Sequence, residues 1–211
     1  GKLVSELGIT KAFLVYGGGS VIRSGVLDEI KKSLDEEHIS YEELGGVKPN
    51  PRLSFARKGV EKAIAFGAEL ILAVGGGSAI DTAKGIAIGA ANPGTDIWEF
   101  WKNKKELKKA LPVGTVLTIS AAGSEMSNSA VLTDEETQDK SGIGSDLIRP
   151  KFAIMNPKLT YTLPKYQLTC GIVDIFMHTI ERYFTPVHGN ELTDEIAEGL
   201  MRTLIPNAAK A

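Results

Sequence analysis

The stretch Ala73-Val-Gly-Gly-Gly-Ser-Ala-Ile-Asp-Thr-Ala-Lys84 decides the fold. It follows directly on Leu70-Ile-Leu-Ala-Val74, a continuous apolar run with the length of a buried strand. Three glycines interrupt the run, and Ser78 then opens an alanine-rich segment of helical character. A strand that turns through glycines into a helix N-terminus makes a place for phosphate. Glycine lets the backbone approach closely, and the first N–H groups of the helix have no internal partner. A nucleotide or dinucleotide is the expected ligand. From Gly75 the order is G-G-G-S-A-I, without the third glycine of G-x-G-x-x-G and without the Gly-Lys-Ser/Thr of a Walker A loop. Asp81 falls in the first turn of the expected helix, where a carboxylate either offsets the helix dipole or lies near the cofactor.

Upstream, Ala12-Phe-Leu-Val-Tyr16 predicts a first strand, and it too runs into glycines, Gly17-Gly-Gly-Ser20. Val26, Leu27, Ile30 and Leu34 form a helical stripe among charged residues. Gly45-Gly46 and Pro49-Asn-Pro51 mark a turn-rich connection. Residues 53–66 predict an amphipathic helix with Phe55, Ala56, Val60, Ala63 and Ile64 inward. Downstream, Asn92-Pro-Gly94 stops the helix that opens at Ser78. Residues 113–119 predict another buried strand, leading into Ser120-Ala-Ala-Gly-Ser124. Residues 130–133 and 152–155 predict two more, and residues 134–140 a polar connection between them. This alternation predicts an α/β fold with a largely parallel sheet. Ligands of such sheets bind outside the carboxyl ends of the strands. Both Gly-Gly-Gly-Ser turns and residues 120–124 follow such ends, and their convergence weighs more than any one motif.

After Pro164 the pattern is helical alone. Residues 166–184 carry Leu168, Ile172, Ile175, Phe176, Thr179, Ile180 and Tyr183 at helical spacing, and a second helix is expected over 191–204. A boundary near Leu163-Pro164 divides the chain into domains 1–163 and 164–211. Asp174 and His178 stand four residues apart and share one face of a helix that the flanking Ile, Val, Phe and Met predict to be buried. Spacing leaves two readings for them: a structural hydrogen-bonded pair, or ligands of a divalent metal. Glu181 is either a partner of that pair or a surface charge. His38 and His188 lie in polar surroundings and are expected at the surface.

The 211 residues include 24 Lys+Arg against 26 Asp+Glu, a formal charge of −2, so electrostatic binding to nucleic acid is not expected. Five lysines crowd residues 102–109, but Glu106 sits among them, as on a solvated helix face or loop. No apolar run reaches the ~18 residues of a membrane span, and no signal peptide is evident. The single cysteine, Cys170, excludes an intramolecular disulfide framework and fits a reducing cytoplasm. The chain opens at Gly1 without methionine and ends just past an expected helix, so a fragment is expected.

Taken in order, these motifs resemble the metal-dependent, "iron-containing" alcohol dehydrogenases, and among them the NADPH-dependent butanol dehydrogenase and aldehyde reductase branch. The resemblance covers nearly the whole chain. It rests on Tyr16-Gly-Gly-Gly-Ser20, Gly46-Val-Lys-Pro-Asn-Pro51, the Gly75–Lys84 motif, Gly123-Ser-Glu-Met126, Leu163-Pro164, and Gly171-Ile-Val-Asp174 with His178-Thr-Ile-Glu181. It implies a Rossmann-like nucleotide-binding domain followed by the start of an all-helical metal-binding domain, with the metal in the cleft between them.

The resemblance implies NADP(H), with Gly76, Gly77, Ser78 and Asp81 along the diphosphate and nicotinamide and with Thr118, Ser120 and Lys140 as further contacts. NAD-specific relatives carry a carboxylate just after the first strand. Here Gly17 stands there, so Gly17, Gly18, Gly19 and Ser20 are expected to admit a 2′-phosphate, with Ser20 donating to it. The resemblance also assigns Asp174 and His178 to Fe²⁺ or Zn²⁺. That metal would polarise the oxygen of a small alcohol or aldehyde, such as butanol or butyraldehyde, while hydride passes to or from the nicotinamide. A homodimer is an open expectation for the full-length protein. The family's remaining ligands are histidines further along, and His188 is too close to match them, so catalysis by this chain alone is not expected. The alternatives are a relative of the glycerol dehydrogenase or dehydroquinate synthase type, and a nucleotide-binding module without chemistry.

Overall fold

The apolar runs of the sequence lie side by side as parallel strands in the computed structural model, which describes residues 1–187 and 189–210. In chain order the elements are α1 (Lys2–Glu6), β1 (Lys11–Tyr16), α2 (Ser20–Arg23), α3 (Val26–Glu36), β2 (Ser40–Gly45), α4 (Leu53–Phe66), β3 (Leu70–Gly75) and α5 (Gly77–Ala91). They continue with α6 (Ile97–Trp101), β4 (Val113–Leu117), β5 (Ser129–Asp134), β6 (Asp139–Gly144), β7 (Phe152–Ile154), α7 (Lys165–Tyr183) and α8 (Glu191–Ala208). Among the described residues a five-stranded sheet runs β2-β1-β3-β4-β7, parallel throughout. The expected Rossmann-like α/β architecture is therefore present.

All six residues of β3 are buried, because both faces of the sheet are covered. On one face Leu14, Leu72 and Val74 pack with Val26, Leu27 and Leu34 of α3. On the other, Phe13, Val15, Ile71 and Ala73 pack with Ala63 of α4 and Ile80, Ala83 and Ile86 of α5. The chain leaves β1 toward β2 on one side and reaches β3 on the other, so a crevice opens outside the carboxyl ends of β1 and β3.

Helix α5 is enclosed on nearly every side. Beyond the sheet and α4 it meets a β5–β6 hairpin, where Ile88 joins Leu53, Ile97, Phe100, Trp101, Ala130 and Leu132 in a second layer of core. Ten of the eleven residues of α5 from Ala79 to Gly89 are buried, Asp81 being the exception. Two glycines let α4 and α5 approach closely. A Cβ on Gly59 would lie 2.3 Å from Ile86 Cδ1, and one on Gly89 would lie 2.3 Å from Val60 Cγ2 and 2.6 Å from Ile97 Cγ2. The hairpin also closes the start of α4. Thr133 N–H donates to Pro51 O at 2.8 Å, and the Glu135 carboxylate accepts from both the N–H and the hydroxyl of Ser54.

Several expectations are corrected. The polar stretch 134–140 is the tip of the β5–β6 hairpin, and Lys140 lies within β6. The strand expected over 113–119 ends at Leu117, because the chain bends there and Thr118 N–H turns to Gly75 O at 3.1 Å. Ile64 is exposed, and Leu53 and Gly59 complete the buried face of α4 instead. Helix α7 is not buried. Gly171 is its one buried residue, and Val173 and Met177 are more than half exposed, because α7 packs along α8 and touches the sheet domain over a short stretch. Helix α8 continues through Pro206 to Ala208. His38 is exposed, and His188 lies outside the described residues. No helix among the described residues is long and apolar enough to cross a membrane.

The close α4–α5 approach predicts that Gly89→Val forces Val60 and Ile97 apart and lowers stability by about 1–3 kcal/mol. Urea unfolding of the two chains measures this, and an unchanged midpoint would mean that the helices do not need the glycine.

Candidate functional site

The carboxyl ends of β1, β3 and β4 open onto one cleft of about 480 Å³. Gly17, Gly18 and Ser20 line it after β1, Gly76, Gly77 and Ser78 after β3, and Thr118, Gly123, Ser124 and Glu125 after β4. Leu163, Gln167 and Asp174 close it from the α7 side.

The turn after β3 has the character its sequence predicts. Gly75 has φ +153°, and a Cβ there would press on Ala79 Cβ at 2.9 Å. Gly76 caps α5 without a side-chain partner, and a Cβ on it would sit 2.3 Å from Ile119 Cγ2. The N–H groups of Gly77 and Ser78 have no partner among the described residues. Both belong to a fifteen-residue helix with no acidic residue in its first turn, so the positive end of the dipole faces the cleft uncompensated.

Asp81 is therefore not a first-turn residue, since α5 starts at Gly77. Its carboxylate does not line the cleft. Oδ2 accepts the Val131 N–H of the hairpin at 3.0 Å, and Oδ1 is buried with no hydrogen-bond partner. Burial raises its pKa; the Val131 N–H, Lys84 and the Ser124 hydroxyl oppose the shift without reversing it.

One turn further on, Lys84 is fully buried. Its Nζ donates to the carbonyl oxygens of Ser124 at 2.8 Å, Ser127 at 2.9 Å and Ser129 at 2.8 Å. Burial lowers its pKa to about 8, against the pull of Asp81 and Glu125. Sequence reasoning missed this residue. The available signal was a lysine three residues after Asp81, inside a run of Ala, Ile and Gly that leaves the helix no polar face.

At the turn after β1, Gly17 and Gly18 border open space: a Cβ on Gly17 would meet only Val47 O, at 3.7 Å, and one on Gly18 nothing within 4 Å. Gly19 has φ +108°, and the Arg23 guanidinium folds over it, with Nη1 3.3 Å from the position of a Cβ. Arg23 was also missed, since one arginine after a glycine turn carries no signal of its own.

Besides Gly19 and Asp81, three expected residues lie outside the cleft lining, Ser120, Lys140 and His178. Ser120 borders a small neighbouring cavity with Met155, Asn156 and Thr160. Lys140 is exposed on the hairpin and donates to Asn50 Oδ1 at 3.1 Å. His178 lies one turn beyond Asp174, with Nε2 3.7 Å from Asp174 Oδ1 and both side chains nearly half exposed. Gly171 sets the approach of α7, because a Cβ there would stand 2.4 Å from Ser120 O. Among the described residues no group of three or more His, Cys, Asp or Glu side chains is placed to hold a metal.

A parallel sheet with a glycine turn, a helix N-terminus and Asp174 of α7 around one crevice makes this an α/β protein with a cleft at the carboxyl ends of its strands. Residues 1–157 match the profile of the family described as iron-containing alcohol dehydrogenase. The NADH-dependent butanol dehydrogenase A of Clostridium acetobutylicum is 43% identical over 205 residues, 97% of this chain and 52% of the relative. The NADPH-dependent aldehyde reductase YqhD of Escherichia coli is 39% identical over 203 residues, 95% of this chain and 52% of the relative. The crystal structure of NADH-dependent butanol dehydrogenase A from Thermotoga maritima matches with a TM-score of 0.95 at 42% identity, over 99% of this chain and 52% of that one. The chain belongs to the iron-containing alcohol dehydrogenase family. It spans about half the length of the relatives it matches.

The buried Asp81 carboxyl predicts a pH-dependent cost. Its folded pKa is raised, so its charged form disfavours the fold, and that cost grows as pH rises through the folded value. Asp81→Asn keeps the acceptor for Val131 and removes the charge. Its stability relative to the parent should improve between about pH 4 and about pH 7. Urea midpoints at the two pH values check the sign, and a difference that shrinks toward neutrality would contradict it.

Proposed function

We propose that the chain is the cofactor-binding part of an NADP(H)-dependent, metal-dependent alcohol dehydrogenase or aldehyde reductase. In this reading residues 1–163 form the nucleotide-binding domain and residues 164–211 begin the metal-binding domain. The observation that carries the proposal is one cleft bordered on one side by the unpartnered Gly77 and Ser78 N–H groups and on the other by Asp174. A diphosphate fits the first side, because two aimed N–H groups at a helix N-terminus are suited to anionic oxygens.

The choice of NADPH rests on the turn after β1. The names of the relatives divide between NADH and NADPH and do not decide it. Gly17 and Gly18 leave open space where a carboxylate would repel a 2′-phosphate, and Arg23 adds a guanidinium beside Gly19. Ser20 is the hydroxyl donor we assign to that phosphate. Thr118 contributes from the wall after β4, and Asp81 acts from behind the turn. Ser120 and Lys140 would meet a cofactor at the rim of the cleft.

The second side fits a metal in donor chemistry: a carboxylate and an imidazole one helical turn apart suit Fe²⁺ or Zn²⁺. Asp174 and His178 would hold the ion. When bound, the ion polarises the oxygen of an alcohol or aldehyde and the nicotinamide carries the hydride. The chain's own work is then positional. Gly77 and Ser78 hold the diphosphate, residues 123–125 wall the cleft, and α7 brings Asp174 to the cleft's far side.

Fluorescence titration with NADPH and NADH tests the cofactor assignment. NADPH should bind more tightly, Gly17→Asp should reverse the preference, and Gly77→Val should abolish binding while the far-ultraviolet circular dichroism is kept. Tighter binding of NADH by the parent, or parental affinity in Gly77→Val, would overturn it.

Calorimetric titration with Zn²⁺ tests the ligand pair. Two protein ligands should give weak binding that Asp174→Ala or His178→Ala removes, with the NADPH titration unchanged and no butyraldehyde reduction by the chain. Rapid turnover by the chain alone would refute this division of labour.

A further inference from the structure

We propose that Lys84 is the positioning residue of the cofactor cleft: its ammonium, shared among three backbone carbonyls, sets how far the wall at residues 123–125 stands from the phosphate turn. The proposal rests on the dinucleotide reading of the cleft given above.

The wall belongs to residues 118–128, which connect β4 to β5 with little regular hydrogen bonding of their own. One turn closes there, where Met126 and Ser127 N–H both donate to Gly123 O at 3.1 Å. Outside that turn no ladder fixes the segment, so its place depends on tethers. Arg149 Nη1 holds Met126 O from the solvent side. Lys84 holds it from within, reaching Ser124, Ser127 and Ser129 at once. The carbonyls of these residues converge on one point, where their like dipoles would repel each other without a cation among them. An ammonium has three N–H donors and no acceptor, which matches three carbonyls one to one.

The tether acts where the cleft is narrow. Ser124 Oγ lies 3.3 Å from where a Cβ on Gly77 would stand, so the segment Lys84 grips is the one that faces the phosphate turn. Lys84 is also rigidly based, since it projects from the middle of α5, where ten residues are buried.

Burial makes this device sensitive to alkali. The pKa of Lys84 is lowered to about 8, chiefly by desolvation. Asp81 on the same helix and Glu125 on the gripped segment raise it, and Arg149 lowers it further. Lys140 acts on Asp81 from the hairpin. Above that value the amine has two N–H donors and a lone pair, so one carbonyl loses its partner. The unfolded chain keeps its proton to a higher pH, so the stability contribution of this group rises as pH passes from the folded to the unfolded value. Cleft affinity should fall as pH passes through the folded value. A residue that merely supported the fold would leave cleft affinity constant while it titrated.

The test follows the ¹³C-detected shifts of Lys84 Cε and of the carbonyls of Ser124, Ser127 and Ser129 in the labelled chain. These are read from about pH 7 to about pH 9.5, with NADPH titration and urea unfolding at both ends. We expect the four shifts to share one midpoint, and NADPH to bind about tenfold more weakly at the alkaline end, the scale of one charge-assisted hydrogen bond. The urea midpoint should not fall with it. Lys84→Gln keeps two N–H donors and cannot titrate; its carbonyl shifts should be flat, and its NADPH affinity should stay at the weak level throughout. Carbonyl shifts that ignore the Lys84 titration, or parental affinity in Lys84→Gln, would overturn the proposal. Should Lys84→Gln not fold, the parent decides alone, and affinity that is constant while the carbonyls titrate overturns it. Carbonyls that titrate with Lys84 in a chain that binds neither NADPH nor NADH would support the tether and overturn the dinucleotide reading.

Discussion

Burying β3 on both faces is the constraint on which the rest of this structure depends. Six consecutive residues without access to water require helices above and below the sheet, and the parallel strand order follows from the crossovers those helices make. Parallel strands send all their carboxyl ends to one edge. The glycine turns after β1 and β3 and the bend after β4 therefore meet there without any contact having to select them. The cleft is a by-product of how the core is closed, and its chemistry comes from the residues that happen to occupy that edge.

The legible part of the fold is the part with extreme composition. Leu70 to Val74 and Ala12 to Tyr16 are apolar at every position, and no amphipathic surface element has that pattern. The edge strand β2 was not legible, because Ser-Tyr-Glu-Glu-Leu-Gly buries only Leu44 and reads as a polar connection. The same holds for β6, whose exposed positions alternate with half-buried ones and which owes its pairing to β5. A helical stripe identifies the less exposed face of α7 but does not say how much partner surface exists to cover it. Hence the predicted face is the right one while the predicted burial is not.

The site was legible in its backbone and obscure in its side chains. Glycines announce a close approach, so the turns at Gly17 and Gly76 could be located by residue type alone. Asp81 and Lys84 could not be placed that way. Their environment is made by the hairpin about fifty residues later, which turns what would be the solvent side of α5 into an interior. A charged residue on an alanine-rich helix reads as surface until something covers it. The covering element here is itself too polar to be recognised as core-forming.

The cap of α4 has the same long reach. Arg52, at the N-cap, offers no side-chain bond, and the first turn instead presents Ser54 to Glu135 at the hairpin tip. The two partners are 81 residues apart in sequence. A ribosome emits the chain in order, so α4 and the strand after it have left the exit tunnel well before the carboxylate that finishes the helix exists. Until residue 135 has emerged and the hairpin has docked, Ser54 has no carboxylate to bond, and the layer of core built on Leu53 lacks Ala130 and Leu132. The contacts that close the start of α4, Ser54 to Glu135 and Thr133 to Pro51, thus come from the part of the chain made last among them. A ribosome pause ahead of the hairpin would leave that layer of core uncovered while the sheet residues before it are already outside the tunnel.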